Sequence, residues 1–83
     1  MNDRRKRLIY RCQHRGMKEV DALLGRFVGR HAVELDDGDL ARLEALVDVP
    51  DNDLYNWITG KGPIPAAHDH ALMTRLRKFN NSL

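Results

Sequence analysis

The chain has 83 residues, one cysteine and a formal net charge of +2. A chain of this length forms one small domain, here expected over residues 1–83, and buries only about 60% of the surface that its unfolded form exposes, which disfavours a deep enzyme cleft. The single cysteine excludes an internal disulfide. No apolar run reaches the roughly 18 residues that a membrane span needs, so we expect no direct membrane insertion.

The charges are separated along the chain. Residues 1–31 carry nine basic residues against three acidic ones, residues 32–59 carry one against eight, and residues 60–83 carry four against one. Such polarity can orient a charged partner before contact, although an ordinary solvated surface would also show it. The basic amino terminus lacks the apolar stretch of a secretory signal. We therefore expect a soluble, cytoplasmic protein, or one of the mitochondrial matrix if a transit peptide has been removed.

Turn signals divide the chain into about five short helices with almost no strand-like alternation, which predicts a compact all-α bundle. The first helix is expected from about Asp3 to His14, ending where Gly16 can adopt the left-handed conformation. The second is expected from about Met17 to His31. The spacing of three and four predicts buried stripes on both helices, formed by Leu8, Ile9 and Cys12 on the first and by Val20, Leu23, Leu24, Phe27 and Val28 on the second.

Start signals mark the third and fourth helices. Asp36 can cap the third helix, and Leu35 can pack onto Leu40 as a hydrophobic staple. The fourth helix is expected to begin near Pro50 or Asp51 and to stop at Gly60. The predicted buried residues of these two helices are Leu40, Leu43, Leu46 and Val47 on the third and Leu54, Trp57 and Ile58 on the fourth, with Trp57 as the anchor.

The last helix is expected to begin at Pro65, because proline suits the first helical position. The segment 60–65 that precedes it contains two glycines and two prolines and predicts a loop. The predicted buried face consists of Ala71, Leu72, Met73, Leu76 and Phe79. The tail from Asn80 to Leu83 is expected to fray.

No set of residues predicts catalysis or metal binding. Cys12 shares a face with apolar residues and is interpreted as a small buried side chain. His68 and His70, two apart, would lie on opposite sides of a helix and could not bind one metal ion. Asp51 and Asp53 lack the later glycine and glutamate of a calcium loop and are interpreted as helix-start acids. We therefore predict that the protein is not an enzyme and has neither catalytic nor metal-binding residues.

Two other functions fit parts of the pattern. Residues 40–61 are similar to the helix-turn-helix of phage-repressor-type regulators, but the helix that would enter the major groove begins in the acidic segment, which disfavours DNA binding. A small helical adaptor, or an antitoxin-like module that binds another protein, is the second alternative.

The stretch Arg15-Gly16-Met17-Lys18-Glu19 carries a more specific resemblance. Together with residues 53–57, Asp-Leu-Tyr-Asn-Trp before a Gly-Lys turn, it resembles the SdhE family of FAD assembly factors of succinate dehydrogenase. That family shares an Arg-Gly-x-x-Glu signature, and the resemblance covers nearly the whole chain.

The resemblance implies a compact five-helix monomer that binds the flavoprotein subunit of succinate dehydrogenase, or of fumarate reductase. Such a protein promotes covalent attachment of FAD to that subunit without binding the cofactor stably itself and without contacting nucleic acid.

The same resemblance implies a partner-binding site at the corner between the first two helices. Arg15 would offer a fork of donors to the partner, Gly16 would give its backbone room, and Glu19 would serve the helix and the interface together. Met17 would add apolar contact and Asp21 would be a further contact. Without such a partner, Arg15 would be a solvated side chain that pairs weakly with Glu19.

Overall fold

The computed structural model describes residues 3–81, and this part of the chain forms five α-helices and no strand. The all-α prediction is therefore confirmed. The helices are α1 (Asp3–Gln13), α2 (Lys18–His31), α3 (Asp37–Val47), α4 (Asp51–Thr59) and α5 (Ala71–Asn81), with short 3-10 turns at Ala32–Glu34 and Ala66–His68. None of these helices is long and apolar enough to cross a membrane.

Helix α2 lies at the centre of the bundle. It packs against α1 on one side and against α4 and α5 on the other, while α1 also packs on α3. This arrangement gives a globule of 34 × 25 × 24 Å. The buried apolar side chains are Leu8, Cys12, Val20, Leu24, Phe27, Val28, Ala32, Leu35, Leu40, Leu43, Leu46, Val47, Leu54, Ile58, Leu72, Met73 and Leu76. The predicted stripes meet in this core, although Ile9, Leu23 and Phe79, which were predicted to be buried, are only partly buried and pack against it.

Two predicted helix ends are confirmed. The Asp36 side chain caps α3 by accepting a hydrogen bond from the Asp39 amide at 2.8 Å. Gly60 ends α4 in the left-handed conformation with φ 80°, and the next amide, that of Lys61, donates to the Asn56 carbonyl at 2.7 Å. Both ends are fixed by residues close to them in sequence.

Two predictions about single residues were wrong. Gly16 does not adopt the left-handed conformation, because Gly60 is the only residue with positive φ in the described part of the chain. Trp57 is only partly buried, stacked against the His68 ring, whereas Leu54 and Ile58 have no exposed surface. These two aliphatic residues anchor α4, since its nine residues would not be stable alone.

The start of α5 also differs from the prediction. Pro65 precedes the 3-10 turn, not the helix, and α5 begins only at Ala71, which is exposed. The His70 ring caps the helix, because its Nδ1 accepts a hydrogen bond from the Met73 amide at 3.1 Å. His68 and His70 therefore do not lie on opposite sides of one helix, and their ring centroids are 6.4 Å apart.

The end of α5 is more ordered than predicted. Asn80 is still helical, and its side-chain amide donates to the carbonyls of Leu23 and Leu76 at 3.1 and 2.9 Å. These bonds tie the end of α5 to α2. Asn81 is also helical and ends α5, and residues 82–83 of the predicted frayed tail lie outside the described residues.

Candidate protein-docking site

The corner between α1 and α2 is held by two carboxylates that come from different parts of the chain. The Asp21 side chain, in the first turn of α2, accepts a hydrogen bond from the Arg15 amide at 2.6 Å. Asp51, at the start of α4, accepts one from the Met17 amide at 3.1 Å. Both backbone amides flanking Gly16 are therefore paired, which fixes the path of the chain around the corner.

The Arg15 guanidinium points into the protein. Its Nε donates to Asp51 at 2.8 Å, Nη1 donates to the Val47 carbonyl at 2.5 Å, and Nη2 donates to the Val49 carbonyl at 2.8 Å. Only 12% of the Arg15 side chain is exposed. Val47 ends α3, so Arg15 also satisfies a carbonyl that the helix leaves without an intrahelical partner. Arg15 thus bridges the corner to the turn between α3 and α4.

This geometry changes the interpretation of two residues. The alternative pairing of Arg15 with Glu19 was wrong, because Arg15 pairs with Asp51. Asp51 is a corner residue that the sequence interpretation missed: it begins α4, as expected, but it also binds Arg15 and Met17. The available signal was the opposite charge of residues 1–31 and 32–59, which favours contact between them but does not select a pair.

The residues that the corner leaves exposed are Gly16, Lys18 and Glu19. The Glu19 carboxylate makes no hydrogen bond or ion pair with any residue between 3 and 81. Met17 is partly buried and packs against the core. The predicted site residues therefore separate into two groups: Arg15 and Asp21 hold the corner from within, while Gly16, Met17 and Glu19 reach its surface.

Close packing of α1 on α2 fixes the position of the corner between them. A Cβ atom at Gly25 of α2 would lie 3.2 Å from the Gln13 Cγ and 3.5 Å from the Cys12 carbonyl oxygen, so a side chain there would displace that of Gln13. Beside this contact is a shallow surface groove of about 530 Å³, lined by Gln13, Lys18, Asp21, Ala22, Gly25, Arg26 and Gly29. The groove continues the exposed surface of the corner along α2.

The remaining candidates for chemistry are Cys12 and the possible metal-binding side chains. Cys12 has no exposed surface, which confirms its predicted burial, and burial raises the pKa of its thiol to about 12 despite the nearby Arg15 and Arg11 charges. The thiolate needed for nucleophilic or redox chemistry is therefore scarce. Among residues 3–81, no three His, Cys, Asp or Glu side chains are grouped so that they could hold a metal ion.

The described residues thus form a compact helical bundle with a polar, hydrogen-bonded corner between α1 and α2. Residues 6–80 match the protein family described as the flavinator of succinate dehydrogenase. The chain belongs to this family, which confirms the resemblance seen in its signature.

Individual relatives agree with the family match. The chain is 34% identical to the FAD assembly factor SdhE of Acetobacter pasteurianus over 73 residues, which cover 88% of this chain and 67% of that protein. It is 40% identical over 68 residues to succinate dehydrogenase assembly factor 2, mitochondrial, of Mycosarcoma maydis, covering 82% of this chain and 29% of the relative. The same-named protein of Dictyostelium discoideum is 39% identical over 61 residues, covering 74% and 43%. The chain thus spans only part of each relative.

Proposed function

We propose that this protein binds the flavoprotein subunit of succinate dehydrogenase and promotes the covalent attachment of FAD to it. Family membership over residues 6–80 supports the proposal, as do the names of the relatives, which are assembly factors of that enzyme. The fumarate reductase flavoprotein is a second substrate of the same class within this proposal. The site of action is the bacterial cytoplasm or the mitochondrial matrix, the compartments that a bacterial and a mitochondrial relative suggest.

The observation that carries the proposal is the rigid corner with an unpaired carboxylate at its surface. Glu19 lies in the first turn of α2 with no partner in the described chain, whereas Arg15, Asp21 and Asp51 hold the backbone beneath it. A preorganised surface loses little conformational entropy on binding. We propose that Glu19 accepts hydrogen bonds from the partner, while Gly16 and Met17 allow close backbone and apolar contact.

In this proposal the protein acts as a chaperone and the flavin bond forms within the partner's own site. Binding that prefers the competent conformation of the flavoprotein raises the population of that conformation, to an extent set by the difference between the two affinities. The buried, protonated Cys12 thiol supports a role without covalent chemistry on this chain. FAD is then bound by the partner and not held stably by the assembly factor, which acts as a monomer.

The test compares two acidic residues that differ in position. Glu19→Ala removes one charge from the corner, and Asp37→Ala removes one from the start of α3, where the side chain is 94% exposed. Each variant is purified, checked for native helicity and melting, and assayed for covalent flavin on the succinate dehydrogenase flavoprotein by in-gel fluorescence.

We expect Glu19→Ala to lower flavin incorporation at least about tenfold, as loss of a charged interface contact does, and Asp37→Ala to leave it unchanged. Equal incorporation with both variants would remove Glu19 from the site. No dependence of incorporation on the wild-type protein would overturn the proposed function itself.

A further inference from the structure

One large side chain near the corner is exposed without a structural reason. Tyr10 is 62% exposed and Val33 is 70% exposed, and these two are the exposed large hydrophobic residues of the described chain. Tyr10 lies on α1, one turn before the corner, whereas Val33 lies in the 3-10 turn after α2. Tyrosine is enriched among the residues that dominate binding energy at protein interfaces.

The Tyr10 ring is also held in place. It stacks on the His14 ring with the centroids 3.8 Å apart and the planes 17° from parallel. His14 Nδ1 in turn donates to the Tyr10 carbonyl at 2.8 Å, satisfying one of the last carbonyls of α1. A stacked pair whose orientation is fixed before binding gives a flat aromatic surface at low entropic cost.

The surroundings of this pair indicate which kind of surface it would meet. Asp3, Arg7, Tyr10 and His14 follow one another at spacings of four, three and four, so they share the outer face of α1, and all are exposed. Lys6 and Arg7 form no ion pair within the described residues, in contrast to Arg4 and Arg11, which pair with acids of α3 and the turn after it. The face is therefore aromatic at its corner end, and toward the start of α1 it carries Arg7 and then Asp3, with the exposed Lys6 beside them.

We propose that the face of α1 formed by Arg7, Tyr10 and His14, the aromatic face, is a second part of the docking surface. Its occupant is an acidic surface of the flavoprotein subunit that places an apolar side chain against the Tyr10 ring. This inference rests on the proposed function and extends the site from the corner onto α1, because His14 directly precedes Arg15 and Gly16. The acidic character of the occupant follows from the positive charges of Arg7 and Lys6, which lie closer to Tyr10 in the sequence than Asp3 does and outnumber it.

The test measures the dissociation constant for the isolated, FAD-free flavoprotein subunit of succinate dehydrogenase by biolayer interferometry. Tyr10→Ala is expected to weaken binding at least about tenfold, the loss typical of a dominant interface residue, and Tyr10→Phe, which keeps the ring, to stay within about twofold. Val33→Ala is the matched control, because it truncates the other exposed apolar side chain, and it should not change binding. Alanine suits an exposed helical position, so Tyr10→Ala should fold normally.

A charge pair tests the proposed occupant. Arg7→Glu and Arg30→Glu change the net charge equally, and Arg30 is an exposed residue near the other end of α2. Arg7→Glu should slow association, whereas Arg30→Glu should not, because steering depends on where the charge meets the partner. Equal effects of the two reversals would overturn the acidic occupant.

Two outcomes separate this inference from the proposal beneath it. If the wild-type protein binds and Tyr10→Ala changes the dissociation constant by less than about twofold, the aromatic face is not part of the docking surface, while the proposed site at the corner is unaffected. A wild-type protein that does not bind the subunit would overturn both.

Discussion

The corner between α1 and α2 and the connection between α4 and α5 each join two helices that pack on each other, but they are built differently. Local residues fix the second connection: Gly60 ends α4 with positive φ, and His70 caps α5 three residues ahead of the amide it binds. The corner has no positive φ, and its hydrogen bonds come largely from Asp51 and from the carbonyls of the α3–α4 turn, more than 30 residues away.

This difference determines when each connection can form during folding. A turn fixed by local residues forms its bonds with little loss of chain entropy, whereas a corner fixed by distant charges forms only when the bundle is assembled. The corner therefore depends on the correct packing of α3 and α4, although it lies between α1 and α2. A docking site of this kind is presented by the folded protein and not by a flexible loop.

The largest expected effect is on the corner. Arg15→Ala should lower the free energy of unfolding by about 3 kcal/mol, because it leaves one Asp51 carboxylate oxygen and two carbonyls without a donor in a largely buried site. Asp51→Ala should have a similar effect, and the double variant should be less unstable than the sum, with a coupling of about 1–3 kcal/mol. Urea unfolding measures all three, with Arg30→Ala, at an exposed position on α2, as the control.

Additive effects of the Arg15 and Asp51 substitutions would show that the pair does not act as a unit. The corner would then depend on distant charges no more than the α4–α5 connection does.

A smaller effect is expected from adding a methyl group to each connection. Gly60→Ala should cost about 1–2 kcal/mol because it forces an L-residue into the left-handed region, and the new Cβ would lie 3.2 Å from the Arg77 Nη2. Gly16→Ala should change stability by less than about 0.5 kcal/mol, as exposed substitutions usually do, since its Cβ would meet the Asp51 Oδ2 at an ordinary 3.7 Å. Thermal melting of the two variants measures both effects. A Gly16→Ala variant that melts below Gly60→Ala would contradict the expected difference between the two connections.

The smallest effect is a pH dependence at the start of α5. Burial, together with the Arg42 and His68 charges and only partly offset by Asp39, lowers the pKa of His70 below its usual 6.5. The unfolded chain then takes up a proton before the folded one does, so stability is present above pH 6.5 and is lost as the pH falls through that value toward the lower folded pKa.

His70→Asn tests this dependence, because asparagine can still cap α5 but does not titrate. The fall in Tm between about pH 7.5 and pH 5.5 should be shallower in the variant than in the wild type. Parallel curves for the two proteins would show that another group controls the acid response.

Local patterns in the sequence predicted most of the fold. The Asp36 cap, the stop at Gly60 and most members of the apolar stripes depend on neighbours within one or two turns and were predicted correctly. The start of α5 was predicted wrongly because proline is equally suited to precede a 3-10 turn. The α-helix begins only after His70, whose ring caps it.

The site was predicted less completely than the fold. The signature drew attention to Arg15, Gly16 and Glu19, but a signature does not say which of its side chains point inward. The inward direction of Arg15 is decided by carbonyls and a carboxylate that are distant in sequence. The functional roles of Glu19 and of the other surface residues remain predictions that the proposed experiments address.

The hydrogen bond from the Met17 amide to Asp51 has a practical consequence. Whenever Asp51 leaves the corner, this amide is released to exchange its hydrogen with solvent, while amides deep within α2 stay protected. Exchange at Met17 therefore reports how often the corner opens in the free protein. The same measurement on the complex would show whether the partner meets a corner that is already closed or closes it on arrival.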